Sequence, residues 1–196
     1  MKTDQGLLFT TLKHLTHNTT EWMLTIRLKR VIEEDTPLSF LTILEIGGLD
    51  DALWCLRIAP KEWEPNFRMY SIWCALHQAS WLLKNPRAGY ALTIAQKYAL
   101  GTATEEDLRI GRETVKDIDS EEYIAWDILH EDHAVAALQV SRDILAEFKA
   151  QSDKDFITAY NEQCEMFIHM CKGTAPWQIP AEPVEWFRTS LHKFKE

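Results

Sequence analysis

Long hydrophobic runs are missing from this sequence of 196 residues. The first apolar stretch, from Leu7 to Phe9, has three residues, which is too short for the core of a signal peptide. No other run approaches the roughly 20 apolar residues that a helix needs to cross a bilayer. These absences argue against secretion and membrane insertion, and they predict a cytoplasmic protein with no membrane partner.

Motifs of the common enzyme classes are missing as well. There is no Gly-rich phosphate loop, no Walker pattern and no GxSxG turn, which disfavours the usual nucleotide-binding and hydrolase functions. The four cysteines (Cys55, Cys74, Cys164 and Cys171) have no CxxC spacing, so we expect reduced, buried thiols rather than disulfides or a zinc site. Cys74 and His77 lie one helical turn apart, as a nucleophile and its base would, but both belong to an apolar stripe that predicts core packing. We therefore predict no cofactor.

Strand-like patterns are absent too, while helical spacing recurs along the whole chain. Hydrophobic residues make up 46% of the sequence and charged residues 26%, which is typical of a folded globular protein. No window of four to eight residues alternates between apolar and polar positions. We predict an all-α protein with eight or nine helices and no sheet. A single domain is expected over residues 1–196, with N-terminal helices in 3–46, a central part in 48–118 and C-terminal helices in 120–194.

Several helix boundaries are marked by capping residues. Asn85 followed by Pro86 predicts a helix start, and Gly101 predicts its end. Thr104 and Ser152 predict the starts of two further helices. Between these, a continuous pattern predicts one long helix over 120–150. The segment 67–83 is apolar around most of its circumference, which predicts a central position in the fold.

Negative charge is concentrated in one part of the chain. The formal net charge is −9, and the stretch from Glu105 to Asp132 holds eleven acidic residues against three basic ones. Direct binding to nucleic acid is disfavoured, because phosphate contacts need clustered Lys and Arg. Two interpretations stay open: a solvated surface, or a partner-binding face that binds a basic protein surface and imitates nucleic-acid phosphates. The candidate partner-binding residues are Glu105, Glu106, Asp117, Asp119, Glu121, Glu122, Asp127, Glu131 and Asp132.

A possible metal site lies within the same stretch. Asp127, His130 and His133 follow each other at intervals of three, so on a continuous helix they would share one face. The two histidines are three apart rather than four, which differs from the HExxH zinc motif. A metal-dependent enzyme built on these three residues is therefore one alternative function, beside a histidine–carboxylate network at the surface.

Three blocks of the sequence resemble a family of small helical proteins found in phages, prophages and bacterial genomes. The first is GLDDALWCLR at 48–57, and the second is RMYSIWCA at 68–75. The third starts at Asn85-Pro86-Arg87 and includes the GTATEEDL run at 101–108. The resemblance extends over about 38–108, and 126–145 is weakly similar to a helix of immunity proteins from bacterial toxin systems.

This resemblance implies a function in a mobile genetic element. Small proteins in that setting commonly bind and block another protein, so it implies a non-enzymatic inhibitor of a host defence component or an immunity protein, in the bacterial cytoplasm. A self-associating structural protein is another alternative, and a homo-oligomer would use exposed tryptophans such as Trp63, Trp177 or Trp186.

Overall fold

The computed structural model describes residues 8–18, 22–30, 33, 35–116 and 123–177. Within these ranges the chain forms ten α-helices, three short 3-10 helices and two short strands. The α-helices are α1 (Leu12–Asn18), α2 (Trp22–Lys29), α3 (Phe40–Gly47), α4 (Leu49–Trp54), α5 (Glu64–Gln78), α6 (Pro86–Ala99), α7 (Glu105–Val115), α8 (Tyr123–Asp127), α9 (His133–Gln151) and α10 (Asp153–Cys171). The 3-10 helices are Cys55–Ile58, Lys61–Trp63 and Ser80–Lys84. The predicted, mainly helical fold is confirmed, although the predicted helix count was too low.

The prediction that the chain contains no sheet is wrong. Strands β1 (Phe9–Thr11) and β2 (Pro37–Ser39) pair antiparallel, with Thr10 opposite Leu38. Each strand has only three residues, so neither can show the alternation over four to eight residues from which a strand is predicted. The buried Leu8 extends the contact, because its carbonyl accepts a hydrogen bond from the backbone N–H of Phe40.

Helix α5 lies at the centre of the fold, as its composition predicts. Eleven of its fifteen residues are buried, among them the polar Arg68 and Ser71. It packs against α6, α9 and α10. Few of its positions face solvent, so its apolar residues are not confined to one face of the helix. The buried hydrophobic cluster around α5 includes residues from Leu8 to Trp177.

The predicted caps of three helices are confirmed. The side chain of Asn85 accepts a hydrogen bond from the backbone N–H of Arg87, and Gly101 has φ +69° just after α6. Thr104 and Asp107 form a reciprocal capping box at the start of α7. Ser152 caps α10 by accepting from the backbone N–H of Asp155.

The long helix predicted over 120–150 is interrupted. Helix α8 ends at Asp127, the chain turns through 128–132, and α9 begins at His133. The carboxylate of Asp132 is the N-cap of α9 and accepts hydrogen bonds from the backbone N–H groups of Ala134 and Val135. An Asp side chain that bonds to its own backbone in this way competes with continuation of the helix. In the described part of the chain, no helix has both the length and the apolar character needed to span a membrane.

Candidate functional site: an acidic cleft

A cleft of about 280 Å³ lies where the beginnings of α5, α7 and α9 approach the end of α6. It is lined by four acidic side chains, three rings, one arginine and three small or aliphatic residues: Glu64, Glu105, Glu131, Asp132, Phe67, Tyr98, His133, Arg57, Leu56, Ala59 and Ala134. Small-molecule sites in proteins usually have volumes of roughly 300–1,000 Å³. The cleft therefore lies just below the lower end of this range.

Each acidic residue of the cleft stands at or just before the start of a helix. Glu64 is the first residue of α5, Glu105 is the first residue of α7, and Asp132 caps α9. Carboxylates are favoured at these positions because the helix dipole is positive there. The convergence of three helix starts thus concentrates negative side chains in one concave place, and we call this place the acidic cleft.

His133 and Tyr98 form the aromatic part of the acidic cleft. Their rings stack with centroids 5.3 Å apart and an angle of 27° between the planes. The His133 side chain is only 11% exposed, and its Nε2 lies 3.9 Å from Oε2 of Glu64, beyond hydrogen-bond distance. Its Nδ1 is buried and has no hydrogen-bond partner among the described residues.

The imidazole of His133 is neutral at neutral pH. Burial lowers its pKa to about 4, and the positive charge of Arg68 acts in the same direction. Asp132 and the backbone of Glu64 oppose this shift but do not outweigh it. A neutral imidazole adds no positive charge to the acidic cleft.

The Tyr98 hydroxyl lies in the field of several carboxylates. Its pKa is raised, first by partial burial and then by Glu105, with smaller contributions from Glu64 and Glu131; Arg68 acts in the opposite direction. Three carboxylates from three separate elements therefore act on one phenol. Neither Glu105 nor Glu131 forms an ion pair with any other residue that the structure describes. The one basic side chain in the lining, Arg57, stacks on Trp54 with its guanidinium carbon 3.5 Å from the ring centroid.

Arg68 stabilises the turn between α8 and α9, which forms one wall of the acidic cleft. Its side chain is buried, and its guanidinium donates hydrogen bonds to the backbone carbonyls of Ile128, His130 and Glu131. Burial lowers its pKa to about 10, so it keeps its charge at neutral pH. Arg68 was not predicted from the sequence, although an arginine within an otherwise apolar helix is an unusual feature that could have indicated it.

The nine predicted acidic residues divide into four groups, and Asp127 alone makes up the fourth. Glu105, Glu131 and Asp132 line the acidic cleft. Glu106 instead forms an exposed, bidentate ion pair with Arg109 on α7. The remaining predicted positions Asp117, Asp119, Glu121 and Glu122 lie outside the described residues. Glu64 and Tyr98, which also line the cleft, were not predicted.

Asp127 belongs to a different cluster. Its pKa is raised to about 7 by burial and by the carboxyl group of Asp143 on α9; the charge of Arg112 opposes the shift. The guanidinium of Arg112 stacks over the ring of Trp126, 3.7 Å from its centroid. This cluster connects α7, α8 and α9.

The geometry assumed for the metal site is wrong. Asp127 ends α8, His130 lies in the turn, and His133 begins α9, so the three do not share the face of one helix. His130 Nδ1 accepts a hydrogen bond from the backbone N–H of Asp132. Among the described residues, no three His, Cys, Asp or Glu side chains lie close enough together to hold a metal ion.

The cysteines and Trp177 were predicted to be buried and exposed, respectively. None of the four cysteines, all of which are described, forms a disulfide. Cys74 is completely buried, which raises the pKa of its thiol, and His77 stacks on Trp73. Trp177 was expected to be exposed, but it is 2% exposed because it packs into the core.

The other two tryptophans proposed for an interface are Trp63 and Trp186. Trp63 is half-buried against the core, and Trp186 lies outside the described residues. The large hydrophobic residues that are described and exposed are Phe9, Ile26, Tyr90, Ile110, Tyr123, Trp126 and Ile157. Comparisons of the chain with models of protein families, with curated proteins and with solved structures gave no significant match.

Proposed function

We propose that this protein acts by binding another protein, and that the acidic cleft is the centre of the contact surface. The observation that carries the proposal is the pair of carboxylates at Glu105 and Glu131, which have no counter-ion among the described residues although they stand at a concave site. The expected partner presents a basic surface there. In line with the resemblance of its sequence, the protein would be a phage- or prophage-associated inhibitor of a host defence component, or an immunity protein.

The charges of the cleft favour such a partner on physical grounds. Four carboxylates face one arginine in the lining, and that arginine already stacks on Trp54. A concave surface of one sign attracts the opposite charge over several ångströms, increases the rate of encounter and disfavours partners of like charge. An acidic cleft therefore selects among proteins before any close contact forms.

The chemistry of the cleft favours binding over catalysis. The lining contains no Ser, Thr, Cys or Lys side chain that could act as a nucleophile. His133 is a weak base because its pKa is about 4, well below the value near the working pH that suits a general base. We therefore infer that the residues of the cleft recognise a partner and do not transform it.

Affinity capture tests this proposal. Immobilised wild-type protein, a Glu105→Lys/Glu131→Lys variant and a Glu165→Lys control are exposed to bacterial lysate, and retained proteins are identified by mass spectrometry. Glu165 is an exposed residue of α10, a helix that does not line the cleft. A partner of the cleft is retained by wild type and by the control, and is lost from the double variant.

A purified partner then makes the result quantitative. Calorimetric titration should give an affinity that falls with increasing salt, because opposite charges at a surface are screened. Equal retention of every captured protein by all three proteins would show that the cleft does not bind a partner.

A further inference from the structure

We draw no further inference here: the strongest candidate, the exposed aromatic surface of α8 at Tyr123 and Trp126, where the guanidinium of Arg112 stacks over the Trp126 ring, carries nothing because no contact within the described part of the structure shows what covers it.

Discussion

The guanidinium of Arg68 donates a hydrogen bond from Nη1 to the backbone carbonyl of Ile128, a residue sixty positions further along the chain. Nη2 of the same group donates to the carbonyls of His130 and Glu131. One buried side chain of the central helix thus satisfies three carbonyls of the turn between α8 and α9. The turn carries Glu131 and leads directly into His133, so the position of both in the cleft depends on Arg68.

Replacement of Arg68 by methionine should destabilise the protein by about 2–4 kcal/mol. Methionine keeps an unbranched apolar stem but is shorter and donates no hydrogen bond, so three carbonyls at a largely buried site lose their donor. Urea denaturation followed by circular dichroism measures the change. The exposed Arg109 on α7 provides the control, since Arg109→Met should have little effect; similar stability of both variants would contradict the importance of Arg68.

A buried polar network joins the three helices α5, α9 and α10. Gln163 donates from Nε2 to Oε1 of Gln78 and accepts from the hydroxyl of Ser141, while Gln78 donates to the carbonyl of Ala159. We predict that Gln163→Leu costs about 1–3 kcal/mol because it leaves two buried partners unsatisfied.

The double variant Gln78→Leu/Gln163→Leu tests whether the network acts as a unit. Its loss of stability should be smaller than the sum of the losses in the two single variants, because partners that are removed together leave fewer unsatisfied groups. Thermal denaturation of the wild type, both single variants and the double variant gives the coupling energy. Simple additivity would show that the two glutamines act independently.

Stability should depend on pH through Asp127. Burial and Asp143 raise the pKa of Asp127 to about 7 in the folded protein, above the ordinary value of 3.8. The folded state therefore binds more protons than the unfolded state between these values, and stability falls as the pH rises from about 4 to above 7. Asp127→Asn should reduce this dependence, so that the variant gains stability relative to the wild type between pH 5 and pH 8.

The pH effect of Asp127 must be separated from that of His133. Because the pKa of His133 is lowered to about 4, its contribution is present at neutral pH and is lost as the pH falls through this value. Melting temperatures of Asp127→Asn and the wild type, compared at each pH, cancel the contribution of His133. Glu147→Gln changes an exposed carboxylate on α9, and its melting curve should follow the wild type at every pH. Parallel curves for all three proteins would contradict the raised pKa of Asp127.

Two glycines should respond to alanine substitution in opposite directions. Gly48 has φ +86°, a conformation that other residues rarely adopt, and an added Cβ would lie 3.3 Å from the hydroxyl of Tyr160. Gly48→Ala should therefore cost about 1–3 kcal/mol. Gly89 lies inside α6 with open space around its Cα, so Gly89→Ala should stabilise the protein by about 0.5–1 kcal/mol. Chemical denaturation of both variants checks the two signs.

The features that the sequence predicts well are local ones. The caps at Asn85, Thr104 and Ser152 involve residues within three positions of each other, and all are present. The pairing of β1 with β2 joins segments almost thirty residues apart, and nothing within either three-residue strand indicates it. The start of α9 was missed because the apolar spacing continues across Asp132, although Asp132 itself is a favourable N-cap.

The acidic cleft was predictable only in part. Glu105, Glu131 and Asp132 stood out because charge density is visible in a linear sequence. Glu64 and Tyr98 join them only after α5, α6 and α7 have packed together, which depends on contacts between distant parts of the chain. Arg68 donates its hydrogen bonds to backbone carbonyls, which every residue possesses. The residue types at 128–131 therefore do not indicate these bonds.

The choice of backbone carbonyls by Arg68 has an evolutionary consequence. The hydrogen bonds that Arg68 donates to the turn do not involve the side chain of Glu131, so this position can be substituted while the turn keeps its course. The exposed side chain of Glu131 can therefore change its charge without a change in the framework that presents it. A cleft built in this way can change the charge of its rim by single substitutions, while the buried arginine stays the same.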